Sequence, residues 1–473
     1  MPIKHGVFVT ERATSVSAPV IAASGVPFAV GMAPVHAAED PKTVGIPVLC
    51  TSWDEFVAYF GYCEDWATYP LCEVAYSHFV VYGRQPAIFV NLYDPTTMKA
   101  ATTAADFTVI NHKVNLGSKA INDSTLVVKV SSTTITKGTD YTVYFENGEM
   151  IIELLADGSY YSATTLNIVY DEATMTSINA SAGAPAMEKA ELCMTLLGVV
   201  PDMLLAPGFS DNSTVAAAMA SKAASINGLF RAKALVDVPT DSVNGATVYS
   251  NVVSKKNTLA MVDDDEIVCW PLVKLGNHTF HMSTHLAGVI ATVDTEMGAP
   301  YCSPSNHAVK VDSLVLASGA EVLLTLAQAN ALNAGGVVTC LNFMGSFRMW
   351  GNYTACYPTN QDVKDYFIPV SRMFDWVANS LVTTFWSVID RPMTRLLIDA
   401  IVDSANIWMN GLTGSGYILG GRVEFIDAEN SLENLMAGLV KLHVYITPPS
   451  PAQEIDFTLE YDSNYVTEAL SAT

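Results

Sequence analysis

The residues best suited to chemistry are three histidines, His278, His281 and His285, in the stretch NHTFHMSTH. Imidazoles this close in sequence can bind a transition metal. Their spacing argues against it. His278 and His281 fall on opposite faces of an extended strand, and no carboxylate ligand or general base stands at a motif distance. They are expected to be solvated or hydrogen-bonded loop residues. Asp263-Asp264-Asp265-Glu266 has the charge to attract calcium but lacks the alternating ligands, central glycine and closing glutamate of a calcium loop. It reads as a solvated acidic turn before a strand. Gly411, Gly414 and Gly416 lack the P-loop lysine and follow a helix instead of opening one, so they read as a flexible connection. Neither G-x-S-x-G nor H-E-x-x-H occurs. The eight cysteines are scattered without a C-x-x-C pair and read as small buried hydrophobes made in a reducing compartment. No catalytic, cofactor or metal site emerges, and the chain is expected not to be an enzyme.

The elements around these residues follow from pattern. An isolated strand-like segment, HGVFVTER, opens the chain, and a Ser/Ala/Pro-rich link over 13–24 follows it. A strand set apart in this way must pair with a distant part of its own chain or with another chain. An α/β pattern comes next: VPFAVGMA and IPVLC alternate with a helix that Thr51-Ser52 opens and Gly61 closes. Between Phe107 and Asp171, Val, Thr, Ile and Tyr dominate short alternating runs, and Asn147-Gly148 is a two-residue hairpin signal. The α/β alternation resumes over 187–342 and implies a largely parallel sheet covered by helices. Beyond Phe347 the chain is expected to carry two helices divided at Pro392, with that proline at the first position of the second helix. Three strands then close it: GRVEFID, KLHVYITPP and EIDFTLEYD. Pro448, Pro449 and Pro451 precede the last strand and prevent a tight hairpin with its predecessor.

Length and composition agree with this plan. The 473 residues suggest two to four domains. Half are hydrophobic, 15% are charged, and the formal net charge is −23. So acidic a chain has no electrostatic footprint for nucleic acid or an anionic membrane surface. The apolar stretch over 13–38 contains Pro19, Pro27 and Pro34, so it is not read as an export signal. The segment from Trp376 to Ile389 is too short to span a bilayer, and the protein is expected to be made in the cytoplasm.

Six blocks, in order, resemble the contractile tail sheath proteins of phages, R-type bacteriocins and related injection machines. The opening HGVFVTERATSVSAPVIAASGVPFAVGMA is similar to that family's first strand, linker and apolar strand. PVLCTSWDEFVAYFG, LLAPGFSD and AGVIATVDTEMGAPYCSPSN resemble its "P-strand, helix, FG", "APG" and "GxxARTDxxxGxxxAPAN" elements. LNAGGVVTCLNFMGSFRMWGNYT resembles its "LNxxGIN…G…VWGxRT" block through Asn333, Gly335, Trp350, Gly351 and Thr354, except that Tyr353 replaces the arginine. A contact made by that arginine in other members therefore does not carry over. GGRVEFID and LVKLHVYITPPSPAQEIDFTL resemble the closing pattern.

The resemblance implies a multidomain α+β and α/β fold: a sheath core with a mixed sheet and flanking helices, an inserted small all-β domain, and terminal strands that augment neighbours' sheets. The expected boundaries are 1–24 for the N-terminal strand arm and linker, 25–105 with 180–346 for the discontinuous core, 106–179 for the outward-facing insertion, and 347–473 for a C-terminal domain ending in a strand arm. Val7, Phe8 and Val9 at one end, and Ile455, Phe457 and Leu459 at the other, are the expected inter-subunit strand contacts. The family's function implies stacked hexameric rings around an inner tube, contraction on a baseplate trigger, and other sheath subunits, tube, baseplate and tail terminator as partners. The place implied is the virion tail, or alternatively a bacteriocin or other injection particle. Two readings outside the family are an α/β enzyme with a β accessory domain, and an adhesin, which would need an export signal.

Overall fold

A computed structural model describes residues 19–175 and 178–471. Its centre is an eight-stranded sheet in the order Val48–Cys50, Ala87–Asn91, Pro27–Gly31, Met203–Leu205, Lys233–Asp237, Glu266–Cys269, Val337–Phe343, Ser346–Trp350. The six inner strands run parallel, and both edge strands are antiparallel to their neighbours. The sheet is therefore mixed. Every residue of the 27–31, 87–91 and 233–237 strands is buried. Strands covered on both faces need unbroken apolar runs, and PFAVG and AIFVN supply them.

The local signals read from the sequence operate as physics requires. The Ser52 hydroxyl accepts from the Glu55 N–H and opens the Trp53–Phe60 helix. Gly61 closes that helix at φ 71, where an added Cβ would lie 2.5 Å from the Pro34 carbonyl oxygen, so glycine is required there. Asn147 and Gly148 both take positive φ and join Tyr141–Glu146 to Glu149–Leu154 as a hairpin. Between Lys99 and Ala173 the described elements are all strands, arranged in three small sheets. Val128, Met150, Ile152, Leu166 and Ile168 give this region an apolar core of its own.

The region beyond the last strand of this sheet grips it through the Ile368–Phe385 helix. Each turn of its inward face supplies a polar grip. Arg372, almost fully buried, binds Asp294 through two N–H donors at 2.9 and 2.5 Å and Asp202 at 2.9 Å. Asp375, one turn on, pairs at 2.9 Å with the buried Lys233, which also binds Asp265. The Asn379 amide accepts from the Arg231 N–H at 2.9 Å and donates to the Arg231 carbonyl at 2.8 Å. The opposite flank packs Met373, Trp376 and Val377 on Ala405, Trp408 and Met409 of the Arg395–Gly414 helix.

Several expectations need correction. The helix after Pro392 begins at Arg395, because the Thr394 hydroxyl accepts from the Leu397 N–H and makes the cap; Pro392 lies outside. Gly411 and Gly414 belong to the last turn of that helix and are not a flexible connection. The link expected over 13–24 is partly fastened, since the Val20 and Ala22 N–H groups donate to Thr384 and Ser380 at 2.9 and 3.0 Å. The Trp376 indole N–H donates to the Ala22 carbonyl at 3.0 Å. The small side chains of Ala22, Ala23 and Ser24 let this backbone lie directly on the helix.

Replacing Arg372 with Ala leaves two carboxylates buried without their cation, and urea unfolding should register a loss of about 3–5 kcal/mol. A loss below about 1 kcal/mol, the scale of an exposed pair, would show that the helix is held by apolar packing alone.

Candidate assembly interface

The three histidines lie close together but do not converge on one point. His278 stacks on Trp66 with ring centroids 4.5 Å apart. His281 ends the strand, caps the Met282–Met297 helix, and bonds Glu73 through Nδ1 at 2.9 Å and through its backbone N–H at 2.6 Å. His285 is fully buried, with Nδ1 3.2 Å from the Ser77 hydroxyl. Of the expected loop histidines, His285 is part of the core and His281 is half-buried, and their partners Glu73 and Ser77 lie about 200 residues upstream. Burial opposes charge on His281, but the Glu73 carboxylate, with Asp237 and Asp211, outweighs it and raises the pKa to about 9.

The acidic run is likewise only partly a solvated turn. Asp265 neutralises Lys233, and Glu266 is buried at the start of its strand, where burial pushes its carboxyl up to about 7. Near it, burial lowers Lys256 to about 8, and its ammonium donates to the Gly335 and Ala355 carbonyls at 2.9 and 2.6 Å. These groups hold elements together and leave little free to act on a substrate.

An open sheet edge offers more. Gly420–Glu424 and His443–Thr447 form an antiparallel two-stranded sheet on the outside of the C-terminal helices. The Asn406 side chain accepts from the Val423 N–H at 2.8 Å and donates to the Val423 carbonyl at 2.9 Å. The backbone groups of Val423 therefore point away from its partner strand, and those of Val444, which lies opposite, point outward on the other side. Ile446, two residues on, points the same way. Among the described residues, nothing hydrogen-bonds to these outward groups of Val444 and Ile446. One edge is partly closed by Asn406 and the other is open.

The two faces of this sheet differ. Leu442, Val444 and Ile446 pack on the C-terminal core. On the other face Arg422 lies over the Tyr445 ring at 3.9 Å, and His443 stacks on the same ring at 4.3 Å.

The chain then leaves its own sheet. Residues 448–462 form no strand, and the Tyr353 hydroxyl donates to Gln453 at 2.7 Å, drawing the segment toward the aromatic cluster of Tyr357, Tyr366 and Phe367. Tyr353, which replaces the arginine of the resembled block, here anchors the start of the arm. Ile455, Phe457 and Leu459 are exposed, Phe457 at 85% and Leu459 at 95%. They alternate with Glu454, Asp456 and Glu460, so an extended arm has one apolar and one acidic face. Val7, Phe8 and Val9 lie outside the described residues. The open edge of 443–447 and the Asn406 clasp were not read from the sequence: HVYIT showed a strand, but nothing in it tells which edge stays open.

A large mixed sheet accompanied by several small sheets matches the fold of sheaths in contractile injection particles. The chain superposes on the contracted helical sheath of the anti-feeding prophage with a TM-score of 0.59 and 16% identity, covering 97% of this chain and 99% of that one. The sheath of the contracted PVC extracellular contractile injection system gives a TM-score of 0.58 at 16% identity, covering 98% and 99%. Among curated sequences the chain is 26% identical over 482 residues to the tail sheath protein of Burkholderia phage BcepMu, covering 98% of this chain and 97% of that protein. It is 28% identical over 297 residues to the tail sheath protein of Escherichia phage P2, covering 61% and 70%. No family model matches the chain. The resemblance to tail sheath proteins drawn from the six blocks is borne out along the whole chain.

His281 is charged when its partners are ionised, so its contribution to stability is full below its unfolded pKa of about 6.5 and is lost as pH rises through about 9. Thermal unfolding followed from pH 6 to pH 10 should show a decline that His281→Gln flattens. An identical decline in both proteins would place the titrating group elsewhere.

Proposed function

We propose that this chain is the sheath subunit of a contractile tail, polymerising into stacked hexameric rings around an inner tube and contracting to drive that tube through a target envelope. The observation that carries the reading is the pairing of an open strand edge at Val444 and Ile446 with an exposed, alternating arm at 454–461 that leaves its own sheet. Adding the arm of one copy to the edge of another is β-augmentation. Alternation fixes its parity. Ile455, Phe457 and Leu459 would continue the apolar face of Val444 and Ile446, and the acids would line the face that holds Arg422 and His443. Val7, Phe8 and Val9 would supply a second strand from another neighbour. The function then resides in interfaces and not in an active site, and the partners would be other subunits, the tube, the baseplate and the tail terminator. Phage tail and other injection particles are equally served by this reading.

The separate core within 99–173 supports treating 106–179 as an inserted domain. It would face outward, since at the lumen it would collide with the tube. Deleting 107–171 should leave assembly intact; loss of assembly would assign the insertion to an interface.

Purified protein should form hollow helical tubes in electron micrographs, and both Phe457→Pro and Val444→Pro should abolish them while leaving circular dichroism unchanged. Each proline removes an N–H on one side of the proposed pairing. Persistent monomers of the unsubstituted protein would defeat the sheath reading. Tubes formed by either variant would defeat the strand pairing.

A further inference from the structure

The arm does not end with its strand. Residues Asn464–Ser471 form a helix, started by a hydrogen bond from the Asn464 N–H to the Asp462 carboxylate at 2.9 Å. Tyr465, Val466, Ala469 and Leu470 recur at positions one and four apart and make one apolar face. Leu470 is 78% exposed, and this face forms an open concavity with the adjoining Glu460, Tyr461 and Asp462. A second apolar patch lies beside the open edge. The connection between the two outlying strands contains the short Leu432–Met436 helix, which Gly438 at φ 80 closes with a Leu439 N–H to Asn434 carbonyl bond of 2.8 Å. Leu432 and Met436 lie one turn apart on this helix, Leu439 follows its closing turn, and all three are exposed, Met436 at 81%.

From these two patches we infer that the Asn464–Ser471 helix of one copy docks on the Leu432–Met436–Leu439 patch of a second copy, as a lock that follows the added strand. This rests on the strand addition proposed above and specifies its direction. The patch sits at the His443 end of the open strand, because the 425–442 connection returns there. An arm added antiparallel brings its C-terminal end to His443 and its helix to the patch. A parallel arm ends at Thr447, beside the exposed Leu419 and away from that patch. The arm can reach another copy: extended, the fourteen residues from Pro448 to Tyr461 span about 45 Å. Docking in the same chain would require a reversal over Pro448–Gln453, but Gln453 is held away on Tyr353. Apolar cover at both ends of the seam would also protect the added strand's hydrogen bonds from water.

The test uses the full chain in two populations, Met436→Cys and Leu470→Cys, mixed, co-assembled and oxidised; the native cysteines are buried except for the half-buried Cys302, and the unsubstituted chain is oxidised alongside. The expected result is a disulfide-linked dimer from mixed tubes and none from either variant alone. The inference is overturned if mixed tubes give no such dimer, if Leu419→Cys takes the place of Met436→Cys in the crosslink, or if the doubly substituted chain closes an internal disulfide before assembly. Truncation after Asp462 supplies a second readout: tubes should still form, with a several-fold higher critical concentration, and an unchanged concentration counts against the lock. Failure of the unsubstituted chain to form tubes overturns the sheath reading, and the lock with it.

Discussion

The buried guanidinium of Arg372 is the contact on which the arrangement of this molecule depends. It faces Asp294 and Asp202, and the latter also accepts from the Gly25 and Val26 N–H groups at 3.0 and 2.6 Å. Ser24 donates to Asp294 as well. Three distant stretches of chain therefore meet at one charge: the N-terminal segment, the central sheet and the C-terminal helix. Ions removed from water are tolerated only when their partners are complete, so no one of these stretches can leave without exposing the others to a large desolvation penalty. Apolar packing between Trp376 and Trp408 would permit sliding; the fixed geometry of a bidentate ion pair does not.

That fixity gives the arms their meaning. Val20 and Ala22 are fastened along the 368–385 helix, which holds the first described residues beside the same C-terminal region that bears the open edge. The C-terminal arm departs from the neighbouring strand, past Pro448, Pro449 and Pro451, with Gln453 resting on Tyr353. Rigid body and extended tether are thus separated cleanly. Strand addition suits such a body, because each backbone hydrogen bond contributes only about 0.5–1.5 kcal/mol but several form at once and survive a rotation of the domains behind them.

Much of this was legible in the sequence because it is local. Ser52 caps, Gly61 and Gly148 occupy conformations that a Cβ would forbid, and PFAVG can only be a strand buried on both faces. Most of what was not legible depends on contacts across long separations. Glu73 holds His281 from about 200 residues away, and Asn406 closes one edge of a strand that begins fourteen residues later. Thr394 rather than Pro392 starts a helix because a hydroxyl that caps outweighs a ring that merely tolerates the first turn. EIDFTLEYD reads as a strand with no local partner, and among the described residues 454–462 form no strand in the single chain.

Charge sets a further constraint on any assembly of this chain. Copies carrying −23 repel one another, and beyond a Debye length of about 8 Å at physiological salt that repulsion is largely screened. Only surfaces in close contact must answer it locally. Glu454, Asp456 and Glu460 on the arm would run along the outer face of the receiving sheet, where Arg422 pairs with Glu424 and His443 bonds Glu429, with Lys441 beside them. The apolar face of the arm carries no charge to desolvate. Attraction would thus be concentrated in a narrow seam while the bodies keep apart, and a polymer held this way can change the spacing of its subunits without first breaking a broad interface.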